Sequence, residues 1–195
     1  MTFSGQDKYW DDKYQMGQTS WDIGYASPPI VEYFRQLPNK GLKILVPGAG
    51  RAWEVEFLFN SGFKNVYLLD FAVKGVEEFR ARCPNFPDKQ IIIDDFFKHE
   101  GKYDIIVEQT FFSSISPENR ESYVKKVHDM LRRDGRLIGL LFNHHFGFGG
   151  PPFGGNHEEY KSLFGECFRF IYFETATNSI KPREGRELFF VLVKA

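Results

Sequence analysis

The chain has 195 residues with 25 basic and 26 acidic side chains, a formal net charge of −1, a length that suits one well-buried α/β domain and is short for separate cofactor and catalytic domains. No block of like charge suggests a broad phosphate-binding face, which argues against nucleic acid as substrate. The two cysteines, Cys83 and Cys167, lack a metal-ligand spacing, and no run reaches the length of a membrane span.

Residues 1–26 are rich in Trp, Tyr, Asp and Gly and read as an N-terminal arm, with a short helix over Asp7 to Tyr14. Ser27-Pro28-Pro29 can cap and start a helix to about Leu37, which Pro38-Asn39 ends. Lys43 to Val46 is an aliphatic, β-branched run, as expected of a buried parallel strand, and it stops at Pro47-Gly48-Ala49-Gly50. There, two glycines let the backbone turn sharply and approach a ligand with no Cβ in the way. A helical segment over about 52–60 follows, with Gly62 as its stop. A second apolar run, within a strand at 65–69, ends in Asp70. Further strands are expected at 90–93, 103–107 and 136–142, and helices at 72–82 and 117–133. Such alternation implies a parallel sheet with helices on both faces. Phe168 to Thr175 and Glu187 to Val193 then read as an antiparallel pair at the sheet edge. No repeat and no long linker divides the chain, so residues 1–195 are expected to form a single domain.

A strand, a glycine turn, a helix and a second strand ending in an acid form a unit that binds a nucleoside-containing cofactor, the acid accepting from both ribose hydroxyls. In a dinucleotide fingerprint the third glycine would fall at Trp53. Bulk there argues against a helix N-terminus hugging a pyrophosphate. S-adenosylmethionine has no phosphate, so the turn need only pass close beneath its amino-acid and ribose portions. A plain strand-to-helix turn is the alternative without a cofactor, and an NAD-dependent enzyme the alternative with a different one.

The motifs Tyr9-Trp10, Trp21-Asp22-x-Gly24, Val46-Pro-Gly-Ala-Gly50, Leu69-Asp-Phe71, Asp94-Asp-Phe-Phe97, Tyr103-Asp104, Phe111-Phe112, Arg133-Asp-Gly135 and Gly149-Gly-Pro-Pro-Phe153 occur in one order along the chain. Together they resemble the thiopurine S-methyltransferase family of class I S-adenosylmethionine-dependent methyltransferases, and within it the halide and thiol methyltransferase branch. The resemblance implies a Rossmann-like α/β three-layer sandwich, its mostly parallel seven-stranded sheet carrying an antiparallel C-terminal edge strand. It implies S-adenosylmethionine as cofactor, S-adenosylhomocysteine as product, and residues 1–26 as a lid. Two departures stand out: Ala49 where relatives often have cysteine, and Phe153 where they often have tyrosine.

By the same resemblance, Gly48 and Gly50 pass beneath the methionine portion, Asp70 meets the ribose and Phe71 walls the adenine. Asp95 accepts from the adenine amino group, with Asp94 as the competing choice, and Phe96 adds an apolar face. Glu108 meets the methionine end, and Trp10 and Trp21 fold over the cofactor. Trp21, Phe111, Phe142 and Phe153 are candidates for the acceptor pocket, and Arg183 for attracting an anionic acceptor. The plainer readings are a solvated turn at Asp94-Asp95, a loop cap for Glu108, packing anchors for Trp10 and Trp21, core positions for Phe111 and Phe142, and a surface arginine at Arg183. His144, His145 and His157 read as loop histidines, not as a metal site.

A soft nucleophile such as a thiolate, bisulfide, thiocyanate or halide needs no general base, so alignment and exclusion of water are what the protein must supply. Aromatic faces about a sulfonium add cation–π attraction, roughly 0.5–2 kcal/mol each. That gives a use to 22 Phe, 9 Tyr and 3 Trp, 17% of the chain. The expected protein is a cytoplasmic, monomeric methyltransferase of a small-molecule or anionic acceptor, away from nucleic acid and membrane. Alternatives are nitrogen or oxygen methylation of a small metabolite, with His144, His145 or Glu108 as base, and a non-catalytic S-adenosylmethionine-binding protein.

Overall fold

The computed structural model describes residues 6–195, so residues 1–5 of the expected arm lie outside the described residues. Seven strands form one sheet: β1 (Lys43–Pro47), β2 (Asn65–Asp70), β3 (Ile91–Ile93), β4 (Tyr103–Gln109), β5 (Leu131–Phe142), β6 (Phe168–Thr175) and β7 (Glu187–Lys194). Their order across the sheet is β3-β2-β1-β4-β5-β7-β6. The first five are mutually parallel, while β7 runs antiparallel to both β5 and β6. The expected antiparallel pair therefore lies at the edge, with the last strand inserted between β5 and β6.

Side-chain alternation sorts the core into two layers. Ile44, Val46, Ile105, Val107 and Ile138 face helices α2 (Pro28–Arg35), α3 (Trp53–Asn60) and α4 (Val73–Arg82) through Ile30, Phe34, Val55, Leu58, Val76 and Phe79. Leu45, Ile106, Leu137, Leu141 and Phe190 face α5 (Arg120–Met130) and α6 (His157–Gly165) through Tyr123, Val127, Tyr160 and Phe164. Each such buried side chain contributes roughly 1.5–3 kcal/mol. An N-terminal helix, α1 (Gln6–Gln15), lies outside this frame and meets the start of α4, where the Lys74 N–H donates to Asp11 at 3.1 Å.

Four sequence expectations change. Residues 117–119 form a 3-10 turn, and α5 ends at Met130, short of 133. The strand expected at 136 already begins at Leu131, which pairs with Tyr103; the register shifts before Arg136 pairs with Ile105. Residues 132–135, with Asp134 at φ 59°, bulge out between those pairs. Helix α6 was not expected. Its cap is Asn156, whose Oδ1 accepts from the N–H groups of Glu158 and Glu159 at 3.0 Å, while its amide donates to the Glu159 carboxylate at 2.6 Å. Ser27 holds the N-cap position of α2 without a capping side-chain bond; its N–H donates instead to buried Glu54 at 2.9 Å.

Chain order reverses between β1 and β4, so the carboxyl ends of β1, β2 and β4 open onto one crevice. In sheets of this kind, that crevice is where ligands bind.

Candidate functional site

At the end of β1 the backbone takes positive φ at Gly48 (56°) and Gly50 (55°). At Gly48, the absent Cβ matters twice. The conformation disfavours a side chain, and the ring of Phe111 lies so close that a Cβ would overlap Cδ2 and Cγ and stand 2.8 Å from the Phe111 Cβ. The Tyr14 hydroxyl closes over Gly50 in the same way. Asp70, the last residue of β2, accepts from the Gly50 N–H at 2.7 Å and the Ala72 N–H at 2.8 Å. Burial lifts its carboxyl above the usual range, opposed by the N–H groups of Ala72, Gly50 and Phe71. A carboxylate has about four acceptor positions, so the turn leaves Asp70 capacity for a ligand's hydroxyl groups.

Two adjoining cavities open beyond these residues. The first, of about 70 Å³, is lined by Trp10, Trp21, Gly48, Gly50, Asp70, Phe71, Phe96 and Phe111 from the sequence candidates, together with Tyr14, Asp94, Thr110 and Ser114. The second, of about 340 Å³, shares Trp10, Phe71, Phe96, Phe111 and Ser114 and adds Tyr9, Asp95, Asn119, Pro151 and Phe153. The two aspartates divide: exposed Asp94 borders the first cavity, and half-buried Asp95 the second. Asp95 also accepts from the Phe97 N–H at 2.8 Å.

The arm forms one wall. Trp21 meets Trp10 edge-on at 5.1 Å and Tyr14 at 5.8 Å. Tyr14 follows Trp10 by four residues, one helical turn on the same face; that spacing was the signal by which it could have been found. Burial, and the charge of Asp70 after it, push the Tyr14 hydroxyl far above its usual range. Asp22 anchors the segment to the frame, accepting from Arg51, from the Trp53 indole at 2.7 Å and from the Gly24 N–H at 2.8 Å. Burial alone would raise its carboxyl, but those donors hold it below the usual range. Thr110 has φ 61°, an unfavourable conformation for a β-branched residue and one that no sequence pattern signals.

Three sequence candidates lie elsewhere. Glu108 does not border either cavity. β4 extends to Gln109, and Glu108 turns with Ile106 toward α5; there it is fully buried and accepts from the Tyr123 hydroxyl at 2.6 Å and the Phe112 N–H at 2.7 Å. Phe142 packs against His144 and Phe146 with centroids at 5.5 and 5.0 Å, away from both cavities. Arg183 is neither a surface residue nor a cavity residue. It is buried, pairs with buried Glu187 at 3.3 Å and donates to the Trp21 carbonyl at 2.6 Å, so its role is to hold the arm. Of the histidines, burial lowers His144, which borders neither cavity, and no group of metal-binding side chains occurs among the described residues.

Against known proteins, a family model described as thiopurine S-methyltransferase matches residues 5–190. A probable thiol methyltransferase 2 of Arabidopsis thaliana is 30% identical over 186 residues, 91% of this chain and 81% of that protein. Thiocyanate methyltransferase 1 of Brassica oleracea is 28% identical, over 94% of this chain and 81% of its own. Among solved structures, the 1,6-didemethyltoxoflavin-N1-methyltransferase of Burkholderia thailandensis, bound to S-adenosylhomocysteine, superposes with TM-score 0.79 at 17% identity, over 97% of this chain and 87% of that one. Magnesium protoporphyrin IX methyltransferase of Synechocystis with bound S-adenosylmethionine gives TM-score 0.70 at 16% identity, over 100% of this chain and 85% of its own. At those identities the structures establish the shared fold.

Proposed function

The chain belongs to the thiopurine S-methyltransferase family of S-adenosylmethionine-dependent methyltransferases, and from that membership we propose that it methylates a small soft nucleophile: a thiol, bisulfide, thiocyanate or halide. The observation that carries the choice of acceptor is the lining of the two cavities. Among the described residues its ionisable members are Tyr9, Tyr14, Asp70, Asp94 and Asp95, with no histidine, lysine or arginine, and the remainder is mostly apolar. None of the candidate bases His144, His145 and Glu108 borders either cavity, and so apolar a lining favours an acceptor that arrives already nucleophilic.

The residues present fit the cofactor. The two glycines bring the turn to the wall of the first cavity, with Phe111 and Tyr14 packed against them, Asp70 keeps acceptor capacity for ribose hydroxyls, and Phe71 and Phe96 offer faces for an adenine beside Asp94 and Asp95. When bound, S-adenosylmethionine supplies an activated methyl on a sulfonium. In this reading Asp70 orients the ribose, and Trp10, Tyr14 and Trp21 cover the site as a lid. Phe111 and Phe153 form the acceptor side. Stripping water from an attacking anion raises its reactivity, because its charge is lost as the new bond forms. Aromatic faces near the sulfonium each add roughly 0.5–2 kcal/mol.

The reading further takes the chain as a single-domain, cytoplasmic monomer without a nucleic-acid or membrane partner. Balanced charge supports the lack of a nucleic-acid partner, and among the described residues no helix is long and apolar enough to cross a membrane.

The test is S-adenosylhomocysteine formation across iodide, bisulfide, thiocyanate, thiophenols and thiopurines, beside an Asp70→Ala control. Turnover on one of them, lost in the control, is expected. Cofactor binding with no turnover across the panel would shift the reading to nitrogen or oxygen acceptors or to a non-catalytic binder.

A further inference from the structure

We propose that Glu108 is a positioning residue whose ionised carboxylate, acting through Tyr123 and the backbone of the 111–112 turn, sets the aromatic partition between the two cavities. The proposal rests on the cofactor reading above and assigns Glu108 a place outside the ligand's reach.

Both carboxylate oxygens are engaged. One accepts from the Phe112 N–H at 2.7 Å, the other from the Tyr123 hydroxyl at 2.6 Å. The side chain has little room to rearrange. Gly139 faces it across the β4–β5 ladder, where even a Cβ would stand 2.8 Å from the Glu108 Cβ. Tyr123 in turn carries three rings: it stacks on Phe96 at 5.4 Å, and it meets Phe112 at 5.1 Å and Phe111 at 6.0 Å. Phe96 and Phe111 are shared walls of both cavities, and Phe111 is the ring pressed on Gly48. One buried carboxylate therefore fixes the Tyr123 hydroxyl behind Phe96 and Phe111 and the Phe112 N–H that holds the turn carrying Phe111.

Only the ionised form accepts on one oxygen from the Phe112 N–H and on the other from the Tyr123 hydroxyl. A protonated carboxyl must place its own O–H, and in this ring of donors that leaves one of them without an acceptor. Burial lifts the carboxyl to about 7, with Tyr123 and the N–H groups of Phe112 and Phe111 opposing that rise. The surroundings add no compensating cation. Tyr123 faces it from α5 and Tyr160 more distantly from α6. On α5, Arg120 lies over the Phe112 ring and donates to the Gly154 carbonyl at 2.9 Å. The β5 neighbour is Gly139.

The experiment is S-adenosylhomocysteine affinity by calorimetry from pH 6 to pH 8.5, for wild type, Glu108→Gln and Tyr123→Phe, with melting temperatures recorded alongside. If only the ionised form holds the partition, the competent fraction at pH 6 is about one tenth. Wild-type affinity should then fall about tenfold from pH 8 to pH 6. Glu108→Gln, which cannot ionise, should lose that pH limb and bind at all pH values about as weakly as wild type at pH 6. Tyr123→Phe should keep the limb and bind more weakly at pH 8.

Asp70 also titrates above its usual range, so a limb that survives unchanged in Glu108→Gln belongs to Asp70 and overturns the proposal. Glu108→Gln and Tyr123→Phe both binding as tightly as wild type at pH 8 also overturns it, whatever the variants do to the melting temperature. Absence of S-adenosylhomocysteine binding by wild type at every pH instead sinks the cofactor reading, and the proposal with it.

Discussion

Gly48→Ala would show how tightly the glycine turn and the partition ring are fitted. An alanine at φ 56° costs roughly 1–2 kcal/mol from backbone conformation alone. Its Cβ would also overlap the Phe111 ring and sit 2.8 Å from the Phe111 Cβ, where carbon pairs prefer about 3.5–4.0 Å. Rotating the ring relieves only the first overlap, because the Phe111 Cβ moves only with the backbone. That backbone is tied through the Phe112 N–H to Glu108. Overpacking of this kind costs roughly 1–3 kcal/mol, for a total of about 2–5 kcal/mol. At about 2–4 °C per kcal/mol for a chain of this size, the melting temperature should fall by about 4–20 °C. Gly147→Ala supplies the control: its φ is 77°, and a Cβ there meets nothing within 4 Å, so it should show only the backbone part. Urea unfolding of both variants, and of Gly48→Ala in a Phe111→Gly background that removes the Phe111 Cβ together with the ring, separates the terms; a coupling of about 1–3 kcal/mol is expected in the double variant. If Gly48→Ala costs no more than Gly147→Ala, the close fit argued here is wrong.

Arg183→Ala should cost about 3–5 kcal/mol, since it strands the buried Glu187 carboxylate and leaves the Trp21 carbonyl without its donor. Replacing both charges by methionine should recover most of the loss in urea unfolding, and a single-variant cost below about 1 kcal/mol would mean that the pair behaves as a solvated one. Phe153→Ala should raise the acceptor KM about tenfold, the equivalent of about 1.5 kcal/mol of lost apolar burial, while S-adenosylhomocysteine affinity stays within about twofold. An equal loss in both would move Phe153 to the cofactor side. For Glu108, the folded carboxyl titrates at about 7 against 4.5 in the unfolded chain. The folded state therefore holds a proton that the unfolded chain releases, and stability falls as pH rises from 4.5 through 7, by about 3 kcal/mol for this group. The difference between wild type and Glu108→Gln over that range should show the slope; no difference would remove the shift.

The parts of the fold legible in the sequence were those with a strong period. Apolar runs located the strands to within a residue or two, with the exception of β5. There a strand resumes after a bulge, and Arg132 to Gly135 carries no apolar signal. Helix α6 was missed although Asn156, Glu159, Tyr160 and Phe164 mark its cap and inner face; the glycine-proline run before it drew the reading toward loop. Chain order was enough to place a residue at the first cavity where it lies at or just beyond the end of a strand, as Asp70, Gly48 and Phe96 do. It was not enough for Glu108, because one residue of strand length decides which face a side chain takes. Nor was it enough for Arg183, whose partner carbonyl lies 162 residues away. Tertiary pairing of that range leaves no local pattern.

The surplus of aromatic residues acquires a physical reason from the ring contacts. Phe96 and Phe111 form the cavity walls, Tyr123 stands behind both, and Phe112 joins Tyr123 to Tyr160 and Phe164 at 5.8 and 5.7 Å. The inner surface of the candidate site is therefore the outer layer of the core packed beneath α5 and α6. Close-packed interiors relay a change of even one methylene. Substitutions at Phe112 or Phe164, which touch neither the first nor the second cavity, should alter ligand affinity as well as stability. By contrast, an equally buried ring on the opposite face, such as Phe79 among the α2–α4 contacts, should alter stability alone. That asymmetry follows from the ring contacts: Phe112 and Phe164 reach the cavity walls through Tyr123, whereas Phe79 meets Phe86.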